Sequence, residues 1–190
     1  MTPRLFLPRG RIAFRPITTN DAYLVTRWRN LPDARAAFFN KTVVTPDTHA
    51  AFIANRKPHD LIWIIEDTRR EPIGMVSLAV DPSTASGEYG RLVIDPDHQH
   101  KRYAKETDYL TLYAAFEWLL LDSMWLDAYQ TNTPIVDLHH KTGWQDAGLD
   151  LTGHTDPAGA VLHMIYKREW WQEHRQEYAA TFGVELPTWR

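Results

Sequence analysis

The sequence predicts a single α/β domain, a central mixed and mostly antiparallel twisted sheet of about seven strands flanked by helices. Three observations carry this. Short β-rich runs alternate with helix-forming stretches along the chain. Two of those runs, 61–66 and 72–80, flank the charged turn DTRRE, as in an antiparallel hairpin. No linker, repeat or low-complexity stretch interrupts the order. With 190 residues, 44% hydrophobic and 24% charged, the chain is long enough to bury a full core in one unit. The domain is therefore read as 1–190, with a helical tail at about 168–190.

The elements follow in order. RIAFRPI at 11–17 alternates apolar and polar residues up to its proline and reads as a strand. Thr18, Thr19 and Asn20 offer cap oxygens to a helix over 20–30, which Leu31-Pro32 stops. A short helix over 33–39 follows, and Thr45-Pro46-Asp47 caps another over 47–56. The hairpin LIWIIE and PIGMVSLAV leads through DPSTASG into a strand at 88–95. From 102 to 121 the chain is helix-forming without Gly or Pro, and its apolar positions predict burial of most of it. MWLDAYQ at 124–130 is a strand, and Pro134 opens a helix that Gly143 ends. Two last strands, 144–152 and 160–167, flank the turn GHTDPAG, and an amphipathic stretch over 168–182 closes the chain.

Composition narrows the chemistry. The absence of cysteine excludes disulfides, thiolate metal sites and an acyl-cysteine intermediate, so catalysis must use oxygen and nitrogen side chains. A formal charge of −3 gives no general attraction to nucleic acid or an anionic membrane. The apolar patch in MTPRLFLPRGR is too short for a signal sequence, and no apolar run reaches the length of a membrane span, so a cytoplasmic location is expected. His98 and His100 with Asp95 and Asp97 lack a metal-ligand spacing, and no metal is expected. Eight tryptophans are unusual for this length; Trp63, Trp118 and Trp125 read as core.

Three places hold groups that can act together. PDHQHKRYAKE enters the helix at 102 and combines free backbone N–H groups, the positive helix end and Lys101, Arg102 and Lys105, a set suited to a phosphate or pyrophosphate. TNTPIVDLHHKTGW carries His139, a side chain that exchanges protons near neutrality. Glu88 starts an otherwise apolar strand, where a carboxylate is either solvent-facing or a base beside a cleft.

Jointly, the order and spacing of these segments resemble the GNAT superfamily of acyl-CoA-dependent N-acyltransferases, from about residue 11 to 170. Gln99-His100-Lys101-Arg102-Tyr103-Ala104 stands where that family has Q/R-x-x-G-x-G/A. The resemblance implies that 99–105 hold the cofactor phosphates, with Arg102 in place of a family glycine and His100 where glycine is frequent. Glu88, eleven residues before Gln99, stands at the place of the family's general base. Asn132, Ile135, Val136, Leu138, His139, Gly143 and Trp144 match N-x-x-(A/S)-(I/V)-x-L-(Y/H)-x-x-x-G-(F/W). This implies Asn132 on the CoA arm and His139 as the acid that protonates the leaving thiolate. Backbone groups of Leu92, Val93 and Ile94 would hold the pantetheine and polarise the carbonyl.

WRN at 28–30, TPDTH at 45–49 and LHMIYKREW at 162–170 resemble the branch of ribosomal-protein N-terminal and amino-sugar nucleotide acetyltransferases. The implied reaction is direct acetyl transfer from acetyl-CoA to a primary amine of a small molecule, an amino sugar or nucleotide-linked amine, or to a protein N-terminus. Trp28, Arg29, His49 and Trp144 are the expected acceptor-side residues. Two other readings remain: a GNAT-fold binding protein without catalysis, motivated by the missing glycine, and an acyltransferase acting on an aminated nucleobase. A homodimer is a further expectation, with Trp170, Trp171 and Trp189 of the tail packing on a neighbour.

Overall fold

A computed structural model describes residues 4–150 and 159–183. The first part of the chain builds β1 (Leu5–Phe6), β2 (Ile12–Pro16), α1 (Ala22–Arg29), α2 (Pro32–Ala37) and α3 (Pro46–Asn55). The middle builds β3 (Asp60–Asp67), β4 (Pro72–Asp81), β5 (Ser86–Ile94) and α4 (Tyr103–Tyr113). The end builds β6 (Ser123–Tyr129), α5 (Thr133–Lys141), β7 (Gln145–Asp150), β8 (Val161–Lys167) and α6 (Arg168–Phe182). Most of the turn GHTDPAG, the end of the strand expected over 144–152, and Trp189 lie outside the described residues.

The strands form one sheet in the order β1-β2-β3-β4-β5-β6-β8-β7, eight rather than about seven. The extra one, β1, has two residues, too few for a periodic signal. Every neighbouring pair is antiparallel except β5 and β6. A parallel pair needs a crossover, and α4 provides it. No described helix is long and apolar enough to cross a membrane.

β3 shows why LIWIIE is apolar throughout. Trp63 and Ile65 join Phe14, Leu110 and Phe116 on one face of the sheet, while Ile62 and Ile64 join Val25, Trp28 and Ile53 on the other. Both faces are covered, so alternation disappears from the strand.

Two expectations are corrected. The helix expected over 102–121 stops at Tyr113 and passes into a π-helical turn over Ala114–Trp118. The wider turn rotates the following side chains off the buried face, and Trp118 is 40% exposed rather than core. Trp171 is 3% exposed and packs inside its own domain. Its ring stacks on Phe116 and Tyr178, and its indole N–H donates to Glu117 Oε1 at 2.6 Å.

Candidate active site

The site begins with a split in the sheet. β5 pairs with β6 only from Ser86 to Glu88, opposite Ser123 to Trp125. Beyond that point the two parallel strands diverge, and the edge of β5 over 89–94 turns toward an open cleft. Between the pairs Met75–Val93 and Ser77–Gly90, β5 carries one residue more than β4. This bulge holds Arg91 at φ 52° and re-aims the strand where it borders the cleft. The cleft has a volume of about 1190 Å³. Leu92, Val93 and Ile94 line it, as do Gln99, Ala104 and Asn132.

The loop after β5 keeps a backbone shape normally left to glycine. His100 sits at φ 62° and Arg102 at φ 64°, both left-handed. Arg102 is the N-cap of α4 and caps nothing with its side chain. The first turn therefore has no side-chain cap, as an anion site requires. The Gln99 side-chain amide donates to the Ile94 carbonyl and Lys101 Nζ to the Asp97 carbonyl, which ties the loop to the strand end. His100, Lys101 and Arg102 are exposed and stand outside the cleft wall with Tyr103 and Lys105. Tyr103 lies under the Arg11 guanidinium, and the Lys105 ammonium lies over the Tyr109 ring. Of the eleven residues expected at the cofactor, six line the cleft and these five form the rim at the α4 start.

Glu88 and His139 both line this cleft. The Glu88 side chain reaches solvent through the cleft, and its carboxyl titrates above the ordinary glutamate range. Partial burial is the main cause, and Asp127 and Asp60 add to it against Arg91. His139 lies near the end of α5 and is only 1% exposed. Its Nδ1 is 3.3 Å from Asp108 Oδ1, and the Thr142 hydroxyl donates to the other Asp108 oxygen. Tyr89 and Trp144 pack edge-on against its ring at 5.1 and 5.2 Å between centroids. A carboxylate beside Nδ1 and two aromatic walls restrict how the imidazole points.

Sequence reasoning missed Asp108. Its one signal was an acid in a helix that otherwise reads as buried, at a position the structure buries completely. Tyr89 was missed as well; burial, then Asp108, pushes its hydroxyl well above the usual tyrosine range.

The WRN segment divides its work among three neighbours. Trp28 is buried and donates its indole N–H to Asp95 Oδ2 at 2.6 Å, so it braces the end of β5 and does not wall the cleft. Asn30 bonds both the N–H and the carbonyl of Val44, pinning the segment that connects α2 to α3. Arg29 alone reaches the cleft, its guanidinium 3.6 Å above the Phe38 ring. His49 lines the cleft from α3. Trp144, expected with them on the acceptor side, is 2% exposed and lies behind His139 against Tyr89 and Tyr166.

A sheet split between two parallel strands, a bulge beside the split and an uncapped helix start after a left-handed loop form a cleft suited to an extended, phosphate-bearing acyl donor. The family model described as "Acetyltransferase (GNAT) domain" matches residues 11–145, and the chain belongs to that family. It is an acetyl-CoA-dependent N-acetyltransferase, with acetyl-CoA as co-substrate. Among solved structures it is similar to a spermidine N-acetyltransferase from Vibrio cholerae in complex with CoA and spermine. The identity is 18%, the TM-score 0.77, and the match covers 85% of this chain and 98% of that one. A chimera of the Vibrio cholerae enzyme SpeG and hSSAT matches at 17% identity and TM-score 0.76, over 86% and 99% of the two chains. A dodecameric structure of the Vibrio cholerae enzyme matches at 18% identity and TM-score 0.70, over 85% and 96%. At such identities the likeness is one of fold. It does not single out the ribosomal-protein or amino-sugar branch. No curated protein matches the sequence.

Proposed function

We propose that this protein acetylates a primary amine of a small molecule by direct transfer, with Glu88 as base and His139 as acid. The observation that carries the reading is that both side chains line one cleft at the point where β5 leaves β6, Glu88 as the last paired residue and His139 against Tyr89, the next one. Glu88 takes a proton from the acceptor ammonium, directly or through a water, so that the nitrogen lone pair attacks the thioester carbonyl. Backbone N–H groups of 92–94 polarise that carbonyl as the C–N bond forms and the C–S bond breaks. His139, oriented by Asp108, gives a proton to the departing thiolate. Residues 99–105 and the start of α4 hold the phosphates, and Asn132 contacts the pantetheine arm.

A small acceptor is favoured over a protein N-terminus because Phe38, Phe39, Val44 and Phe52 wall the cleft, around the segment that Asn30 pins. In a neighbour of the same fold the amine in complex is spermine, also a small molecule.

Calorimetry with acetyl-CoA, followed by a mass-spectrometric screen of amine acceptors, tests the reading. Binding that weakens in Arg102→Glu and acetylation of a small amine are expected. Glu88→Gln and His139→Ala should each lower kcat with little change in acetyl-CoA affinity. Unaltered rates in both variants would remove the pair from the mechanism.

A further inference from the structure

We infer that the acceptor amine carries an anionic group, a carboxylate or phosphate, seated among Arg29, His49 and Arg91 at the helical end of the cleft. The inference rests on the acyltransferase reading above and names the substrate class for that site.

Three basic side chains from three elements, α1, α3 and the β5 bulge, meet on one wall of the cleft. Phe52 links two of them, with the Arg91 guanidinium over its ring and the His49 ring 5.6 Å away, and burial, then Arg91, lowers the Arg29 pKa. His49 is lowered too, by burial first and then by Arg29 and Arg91. Holding like charges together costs free energy, and the fold balances only part of it. Arg91 is paired with Asp60 at 2.9 Å and donates to the Ser77 hydroxyl at 3.0 Å. Arg29 is left with a 3.4 Å contact to the Asn40 carbonyl and the face of Phe38, and has no carboxylate partner among the described residues.

A second observation points the same way. His49 is 8% exposed, and its Nε2 is buried without a hydrogen-bond partner. A buried imidazole nitrogen left unpaired beside two guanidinium groups is a place for a ligand oxygen. The arginines are presented suitably: Phe38 under Arg29 and Phe52 under Arg91 support the planes and leave N–H edges for bonding.

The other charged groups on the cleft set the polarity. Glu88 and Asp127 both line it, on adjoining strands, and receive the ammonium; Asp33 is the remaining acid on the wall. An amine with an oxyanion at its other end satisfies both poles. A polyamine would set a second positive charge against Arg29 and Arg91, so this cleft is built for a different class of amine from the spermine in the similar structure.

The test follows the His49 imidazole by NMR, assigned with His49→Gln, in the presence of saturating CoA so that the phosphate loop is filled. Inorganic phosphate and acetate are titrated separately, which distinguishes the two oxyanions. A saturable His49 shift at millimolar anion is expected, weakened about tenfold or more in Arg29→Gln. In turnover, an amino acid should exceed its own carboxamide, and spermidine should be the poorer acceptor, by about tenfold or more in kcat/KM. His49 resonances unmoved at tens of millimolar, an unchanged affinity in Arg29→Gln, or preference for spermidine would each overturn the inference. A protein that binds no CoA would sink the acyltransferase reading instead, while the same titration of the free protein still decides the anion site. Arg29 is half-buried on a surface helix, and a melting curve of Arg29→Gln checks that the variant is folded.

Discussion

As the proposed base Glu88 must be ionised, and burial with Asp127 and Asp60 outweighs Arg91 in moving its titration upward. The acid limb of kcat/KM should therefore lie above the ordinary glutamate range, with rate lost as pH falls through it. Asp127→Asn removes one repelling carboxylate and should shift that limb to lower pH. A limb that stays put in Asp127→Asn and persists in Glu88→Gln would belong to another group. Asp95 shows the opposite sign. Burial alone would raise its carboxyl, but the Trp28 indole, the Asp97 N–H and Arg27 together hold it below the usual range. A depressed folded value stabilises the protein above the unfolded pKa, and this contribution is lost as pH falls through the folded one. Asp95→Ala also leaves the buried Trp28 N–H unpaired. It should lower the unfolding free energy by about 1–3 kcal/mol at pH 7 and flatten its decline below pH ~4, measured by denaturant unfolding across that range.

The loop before α4 isolates a backbone effect at the scale of an element. Arg102 at φ 64° carries a Cβ where glycine carries none. Arg102→Ala and Arg102→Gly both remove the cation, but only glycine relieves the left-handed conformation. The glycine variant should be the more stable of the two by about 1 kcal/mol in denaturant unfolding. Equal stabilities would mean the residue relaxes out of that conformation. Most elements were legible because their signals are local: the alternation of 12–16, the Thr45 cap, Pro134 at a helix start and Gly143 at its end. The bulge at Arg91 was not, since it exists only in the register between β4 and β5. The same holds for the Asp108–His139 contact, made by residues 31 positions apart whose meeting depends on α4 crossing to α5. Trp28 and Trp144 were placed on the acceptor side because an aromatic residue reads alike whether it walls a cleft or fills the layer behind it.

At the scale of the molecule, α6 is a fastening and not a loose tail. It covers the face of the sheet away from α1 and α3, where Trp171 joins the cluster of Phe116, Leu110 and Tyr166. Glu117 accepts the Trp171 indole N–H and meets Arg175 Nε at 3.1 Å, so one buried acid ties two turns of α6 to the π-turn after α4. The end of the helix reaches the start of the chain, where the Arg9 N–H donates to the Phe182 carbonyl at 2.9 Å. No residue of α6 lines the cleft, so stability and cofactor binding should separate. Trp171→Ala removes a large buried ring and should cost about 3–5 kcal/mol of unfolding free energy. Trp171→Phe keeps much of the packing and loses the bond to Glu117, and should cost less. Below the melting temperature of each variant, calorimetry should give an acetyl-CoA affinity within about twofold of wild type, a difference of ~0.4 kcal/mol. An affinity that fell in step with stability would mean that α6 positions the CoA cleft as well as closing the core.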